Sequence, residues 1–242
     1  MLIGGLQKFS LLDYPDHIAA IVFTQGCNFR CPFCYNPMLV WPTLGGKLNY
    51  KRKELKDHHH VEEDDLFAFL RSRAGKVEAV VITGGEPTIH PDLPEFIRKI
   101  KEMDFLVKLD TNGTNPEMVE NLIKDNLVDY IAMDIKNSKD SYENTVKVKT
   151  NLDNIKKTVK IIMESSLPYE FRTTIVPGLI KKEDIEKIGQ LIKRADLWYL
   201  QNFKKDTELL DKNLESVEPL SADEIKELQK IGKRFVKKCE IR

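Results

Sequence analysis

Six short apolar stretches recur along the chain: HIAAIVFTQ, VEAVVITGG, FLVKLDTNG, VDYIAMDIK, YEFRTTIVPG and LWYLQNF. Their length and their β-branched and aromatic content predict strands. Between them apolar residues recur at helical spacing. Leu93, Phe96, Ile97 and Ile100 share one face, as do Val119, Leu122 and Ile123. The same holds for Ile155, Val159, Ile162 and Met163, and for Ile185, Ile188 and Ile192. Asn115-Pro116 reads as an N-cap followed by proline at the first helical position, and Ser221 to Glu224 as a capping box. Alternating strand and helix predict parallel strands with right-handed crossovers, in a doubly wound sheet or a barrel.

Polar positions favour the barrel. In VDYIAMDIK the period of two places Tyr130, Asp134 and Lys136 on one face and Ile131, Met133 and Ile135 on the other. Lys108, Asp110 and Asn112 alternate with Val107 and Leu109 in the same way, and Arg172 falls with Thr174. A closed eight-stranded barrel fills its lumen with apolar side chains. An interior carrying Asp110, Asp134, Lys136 and Arg172 needs a ligand or water to satisfy those groups. The expectation is an α/β fold, an open, partial (β/α)6 barrel.

At 242 residues the chain is long enough for a full core, and we read it as a single domain over 1–242. Residues 1–17 read as an N-terminal extension, 45–60 as a polar insert loop and 221–242 as a C-terminal helix. Lys plus Arg and Asp plus Glu are 38 each, so no global charge argues for nucleic acid or an anionic membrane. The start, MLIGGLQKFSLLDYPDH, lacks the pattern of a signal peptide, and the apolar runs are too short for a membrane helix. A cytoplasmic location follows as the expectation, and there clustered cysteines read as metal or redox ligands.

Three of the four cysteines lie within TQGCNFRCPFCYNP, just after the first predicted strand, where the functional loops of α/β barrels sit. Cys27, Cys31 and Cys34 are spaced C-x3-C-x2-C. Structural zinc asks for four protein ligands, usually in paired hooks, so a three-cysteine loop would need a histidine to complete it. Three thiolates can instead hold three irons of a 4Fe–4S cluster and leave the fourth iron open. Gly26 and Pro32 suit a loop that wraps an ion, and Phe33 supplies an apolar wall.

The motif of Cys27, Cys31, Phe33 and Cys34 resembles that of the radical S-adenosylmethionine superfamily, C-x3-C-x-aromatic-C. Gly84-Gly85-Glu86 resembles its glycine-rich element, where bare backbone carbonyls approach the amino group of the methionine moiety. DTNG (Asp110 to Gly113), MDIK (Met133 to Lys136) and the arginine of FRTTIVPG (Arg172) narrow the likeness to glycyl-radical activating enzymes. IGGLQKFSLLDYP, VVITGGEPT, VKLDTNGTNPEM and WYLQNF extend it to activating proteins of anaerobic ribonucleoside-triphosphate reductases, a family close to pyruvate formate-lyase activating enzymes. Asp16 stands where a glycine is expected, and Tyr35 where many relatives have histidine.

That resemblance implies a cluster on Cys27, Cys31 and Cys34 and a cofactor held by Phe33, Gly84, Gly85, Glu86, Asp110, Asn112, Asp134, Lys136, Arg172 and Gln201. Glu86 would fix its loop or face the ligand, and Gln201 would reach the adenine. It implies an oxidoreductase that makes a 5′-deoxyadenosyl radical and installs a glycyl radical on a partner enzyme, the anaerobic ribonucleotide reductase large subunit, with a flavodoxin or ferredoxin-type electron donor. The alternatives are a radical enzyme acting on a small molecule or peptide, as carboxy-deazaguanine synthases do, and a zinc-binding structural module. His58, His59 and His60 read as a solvated run, Cys239 as a packed thiol in a terminal helix, and Trp41 and Trp198 as packing residues.

Overall fold

The computed structural model describes residues 1–41 and 61–242; the predicted 45–60 insert, with His58 to His60, lies outside them. Among the described residues eight strands form one sheet in chain order, with ends at the first and the last strand. The chain divides into two compact units.

The first unit comprises Met1–Asn28, Met38–Thr111 and Glu117–Ile131. It carries β1 (Ile3–Ser10), β2 (Ala19–Thr24), α1 (Glu63–Arg73), β3 (Ala79–Gly84), α2 (Leu93–Lys101), β4 (Leu106–Thr111) and most of α3 (Pro116–Lys124). β2 pairs in parallel with β3 from Ala19↔Ala79 to Thr24↔Gly84, and β3 with β4 from Ala79↔Leu106 to Ile82↔Leu109. Ala19 to Val22 and Ala79 to Ile82 are buried throughout, which is why these strands read as continuous apolar runs rather than alternating ones. Tyr14, Ala19, Ile21, Ala79, Val81 and Tyr130 make one apolar cluster. Leu93, Phe96, Ile97 and Ile100 of α2 are buried as their spacing predicts, with Phe96 packed 5.5 Å from Phe67 of α1.

The N-terminal stretch contributes a strand of the sheet. β1 runs antiparallel to β2, with Ile3↔Thr24 and Ser10↔Ala19 bracketing the pairing. The turn back passes through Asp16 at φ 63°, the left-handed region that favours glycine and that aspartate tolerates better than most residues. The glycine expectation at this position thus has a backbone cause.

The second unit comprises Phe29–Pro37, Asn112–Pro116 and Ala132–Arg242. It holds the end of β5 (Tyr130–Asp134), then α4 (Tyr142–Val146), α5 (Leu152–Glu164), β6 (Tyr169–Ile175), α6 (Lys182–Leu191), β7 (Leu197–Asn202), α7 (Ala222–Gly232) and β8 (Lys238–Ile241). β6, β7 and β8 are parallel neighbours. The capping box opens α7: Ser221 Oγ accepts from Glu224 N at 3.3 Å, and Glu224 Oε2 accepts from Ser221 N at 2.8 Å.

The C-terminal stretch departs from the helix expected over 221–242. α7 stops at Gly232, and the chain returns as β8 beside β7. Cys239 is therefore a strand residue, buried against Trp198 and Gly232, where a Cβ on the glycine would stand 2.6 Å from the cysteine sulfur. Burial pushes its thiol up to about 12, as befits a packed, unreactive group.

Candidate active site

In the first unit the chain leaves β2 through Gly26 and Cys27, which are held by backbone pairing. Gly26 N donates to Leu39 O at 2.7 Å and Cys27 N to Val40 O at 3.4 Å. The Gln25 side-chain amide donates to Met38 O at 2.9 Å and also to Trp41 O. The two ends of the cysteine loop are thus tied together before the loop begins.

Gly84 and Gly85 sit against that neck. Gly84 has φ 117°, and a Cβ there would lie 2.4 Å from Thr24 N; a Cβ on Gly85 would lie 1.9 Å from Gly26 O. Both positions require glycine. Glu86 follows, 1% exposed, and it fixes the turn: its Oε1 accepts from Thr88 N at 3.1 Å, Thr88 Oγ1 at 2.6 Å and Thr111 Oγ1 at 2.7 Å. Lys108, 2% exposed, donates to Asp13 O at 2.7 Å and lies 3.1 Å from Asp110. The Asp110 carboxylate therefore has an internal cation.

In the second unit the strand ends bring three of the sequence-derived residues together. Arg172 grips both oxygens of Asp134, Nε to Oδ1 at 3.0 Å and Nη2 to Oδ2 at 3.2 Å, and Lys136 Nζ lies 3.3 Å from Asp134 Oδ2. Burial by itself would raise the Asp134 carboxyl, but the charges of Arg172 and Lys136 overcome it and bring it to about 2. Burial would likewise lower Lys136, yet the Asp134 carboxylate and the nearby Cys31 sulfur hold its ammonium above the ordinary lysine value.

Two cations on one carboxylate suit a second negative group. Glu170, fully buried, supplies part of it, 3.8 Å from Arg172 and 3.4 Å from Arg242. Sequence reasoning missed Glu170, although it stands two residues before Arg172 on the same strand face, a signal that period two could have given.

Cys31 is 8% exposed, and burial pushes its thiol up to about 11, with Lys136 pulling the other way. Burial raises Cys34 too, and Cys34 N donates to Cys31 O at 3.1 Å. All four cysteines are free of disulfides. Phe33 is buried beside them in sequence. Asn112 turns inward on its own loop, accepting from Thr114 N and Thr114 Oγ1 at 3.1 and 2.7 Å. Gln201 accepts a long 3.5 Å contact from Thr174 Oγ1. Among the described residues no group of three or more His, Cys, Asp or Glu stands close enough to hold one metal ion.

Thiols on one loop are the donor type an iron–sulfur cluster takes; within the first unit the glycine pair leaves backbone bare, and within the second Asp134, Lys136 and Arg172 present the charges of both signs that a zwitterion calls for. The Radical SAM superfamily model matches residues 21–195, most of the chain. The protein belongs to that superfamily, whose enzymes use a 4Fe–4S cluster and S-adenosylmethionine.

Among its relatives is a protein of Methanocaldococcus jannaschii that carries the name of a glycyl-radical enzyme activating enzyme. It is 38% identical over all of this chain and 95% of its own length. The pyruvate formate-lyase-activating enzyme of Clostridium pasteurianum is 29% identical over 97% of this chain and 98% of its own. The same fold occurs in solved structures at lower identity. Streptococcus suis SuiB bound to the precursor peptide SuiA has a TM-score of 0.62 at 15% identity, covering 92% of this chain and 48% of that one. Spore photoproduct lyase has a TM-score of 0.59 at 16% identity, covering 97% and 78%.

Proposed function

We propose that the protein is a cytoplasmic activase that installs a glycyl radical on a partner enzyme, the large subunit of an anaerobic ribonucleoside-triphosphate reductase, with an electron from a flavodoxin or ferredoxin-type donor. One observation carries the activase reading: the 38% identity to a relative named for this activity extends over both chains almost end to end. No helix among the described residues is long and apolar enough to cross a membrane.

In this reading Cys27, Cys31 and Cys34 hold three irons. The backbone at Gly84 and Gly85 receives the cofactor's amino group, because only residues without side chains leave its carbonyls open. Lys136 and Arg172 hold its carboxylate, and Asp134 keeps both cations oriented. Asp110 and Asn112 would lie toward the sugar, Gln201 toward the adenine and Phe33 as an apolar wall beside Cys34, while Glu86 holds the glycine turn in shape. Bound there, the cluster and cofactor would supply one-electron radical chemistry. The chain's own part is to bind, orient and exclude water, and the burial of Cys31 and of the Asp134–Arg172 pair serves that part.

The test incubates anaerobically reconstituted, reduced protein and S-adenosylmethionine with a candidate anaerobic reductase subunit, and separately with pyruvate formate-lyase. The reading expects a glycyl doublet in the electron paramagnetic resonance spectrum of the reductase. Cofactor cleavage with no doublet on either partner contradicts an activase and favours a small-molecule or peptide substrate.

A further inference from the structure

The outer part of the cysteine loop, residues 29–37, is held at three places within the second unit. Arg30 N donates to Val146 O at 2.9 Å, tying the loop to the end of α4. Pro32 O accepts from Asp211 N at 2.9 Å. Tyr35 Oη accepts from Lys204 N, also at 2.9 Å, and its ring stacks on Phe203 at 6.5 Å between centroids and 22° between planes. Two of these ties lead to the segment after β7, which is anchored by buried Phe203 and Leu209. The segment is stiffened by a single 3-10 turn over Lys212–Ser216, with Asp211 Oδ1 accepting from Asn213 N at 3.0 Å.

The ties alternate with the cysteines: Arg30 precedes Cys31, Pro32 follows it, and Tyr35 follows Cys34. A loop of nine residues has little regular structure of its own, so its shape is set by such contacts. We propose that Tyr35 and the segment 203–211 form a positioning clamp on loop 29–37, fixing Cys31 and Cys34 for the iron–sulfur cluster and limiting access of water and oxygen to it. This inference rests on the cluster assignment made above. It gives Tyr35, which replaces the histidine of many relatives, a role of its own: its ring stacks on Phe203, and its phenol oxygen accepts from the Lys204 backbone N–H. Tyr35 is a positioning residue, acting through the loop.

The test compares wild-type protein with Tyr35→Phe and Tyr35→Ala after anaerobic reconstitution. It measures iron per chain, the rate at which a chelator removes iron, and the rate at which air bleaches the cluster's visible absorbance. Circular dichroism and denaturation of the apo proteins separate folding from clamping. Loss of the ring and of one hydrogen bond is expected to speed iron loss and bleaching by about tenfold in Tyr35→Ala and about threefold in Tyr35→Phe, with the apo proteins folded. If Tyr35→Ala folds and keeps its iron as long as wild type, the clamp is refuted while the cluster assignment stands. Should Tyr35→Ala fail to fold, Tyr35→Phe decides: wild-type rates there, with Phe203→Tyr also unchanged, refute the clamp. If wild-type protein takes up no iron, the functional reading fails, and this inference with it.

Discussion

Arg172 and Asp134, 38 residues apart in sequence, meet in a bidentate pair with Nε–Oδ1 at 3.0 Å and Nη2–Oδ2 at 3.2 Å. Only the planar fork of a guanidinium makes both bonds at once, which a lysine cannot reproduce. Lys136 Nζ lies 3.3 Å from the same Oδ2 that Arg172 Nη2 bonds.

Removing the guanidinium leaves Asp134 with Lys136 and strips Glu170 of one of its two arginines. Arg172→Met should destabilise the protein by about 3 kcal/mol in denaturant unfolding, and Arg172→Lys by about half of that. S-adenosylmethionine binding, read by equilibrium dialysis on reconstituted protein, should weaken in both.

The same pair gives stability a definite acid limb. The folded carboxyl of Asp134 lies at about 2, below its unfolded value near 3.9. Its contribution, roughly 2 to 3 kcal/mol, is complete above about pH 5, falls as pH drops toward 2, and is gone by about pH 1. Asp134→Asn should therefore flatten the pH dependence of the unfolding midpoint between about pH 4 and 2. An unchanged acid limb in that variant would show that other carboxylates set it.

Gly85→Ala places a Cβ 1.9 Å from Gly26 O, at the neck of the cysteine loop. The backbone there cannot yield without moving Cys27. A loss of about 2 kcal/mol and weakened cofactor binding are expected. Gly75 provides the contrast. Its φ is positive, at 73°, but there is open space around its Cβ position, so Gly75→Ala should cost about 1 kcal/mol and leave cofactor binding as in wild type.

Glu86 is a structural acceptor for three donors. Glu86→Ala leaves the buried Thr88 and Thr111 hydroxyls without it and should cost about 3 kcal/mol, while Glu86→Gln keeps an oxygen in place and should cost about 1 kcal/mol. Thermal unfolding of the two variants beside wild type separates these outcomes. Equal losses would mean that the charge, not the oxygen, matters.

β2 and β3 were legible because burial on both faces writes runs of Val, Ile and Ala, and β4 to β7 because short segments rich in β-branched and aromatic residues stand between helical patterns. The two outer strands were not. β1 carries Gly4 and Gly5 and polar Gln7 and Lys8, so its sequence has no apolar run; its identity comes from pairing with β2. β8 is only Lys-Cys-Glu-Ile, too short for any periodicity to declare itself against the helix before it.

The site shows the same division. Asp134, Lys136 and Arg172 were readable because period two sets charge against an apolar face. Their partner Glu170 was overlooked, and the internal satisfaction of Lys108 depends on Asp13, 95 residues away, which no local pattern carries. The glycine pair was readable as a type of position, whereas the close approach of Gly26 that makes it obligatory is a tertiary fact.

The central claim is that Cys27, Cys31 and Cys34 hold a cluster with one iron left for the cofactor. The most direct measurement is the electron paramagnetic resonance spectrum of the reduced, reconstituted protein with and without S-adenosylmethionine, alongside iron and sulfide analysis. The account predicts about four irons and four sulfides per chain and a spectrum that changes when the cofactor is added. Stoichiometric zinc without iron, or a cluster whose spectrum ignores the cofactor, would contradict it.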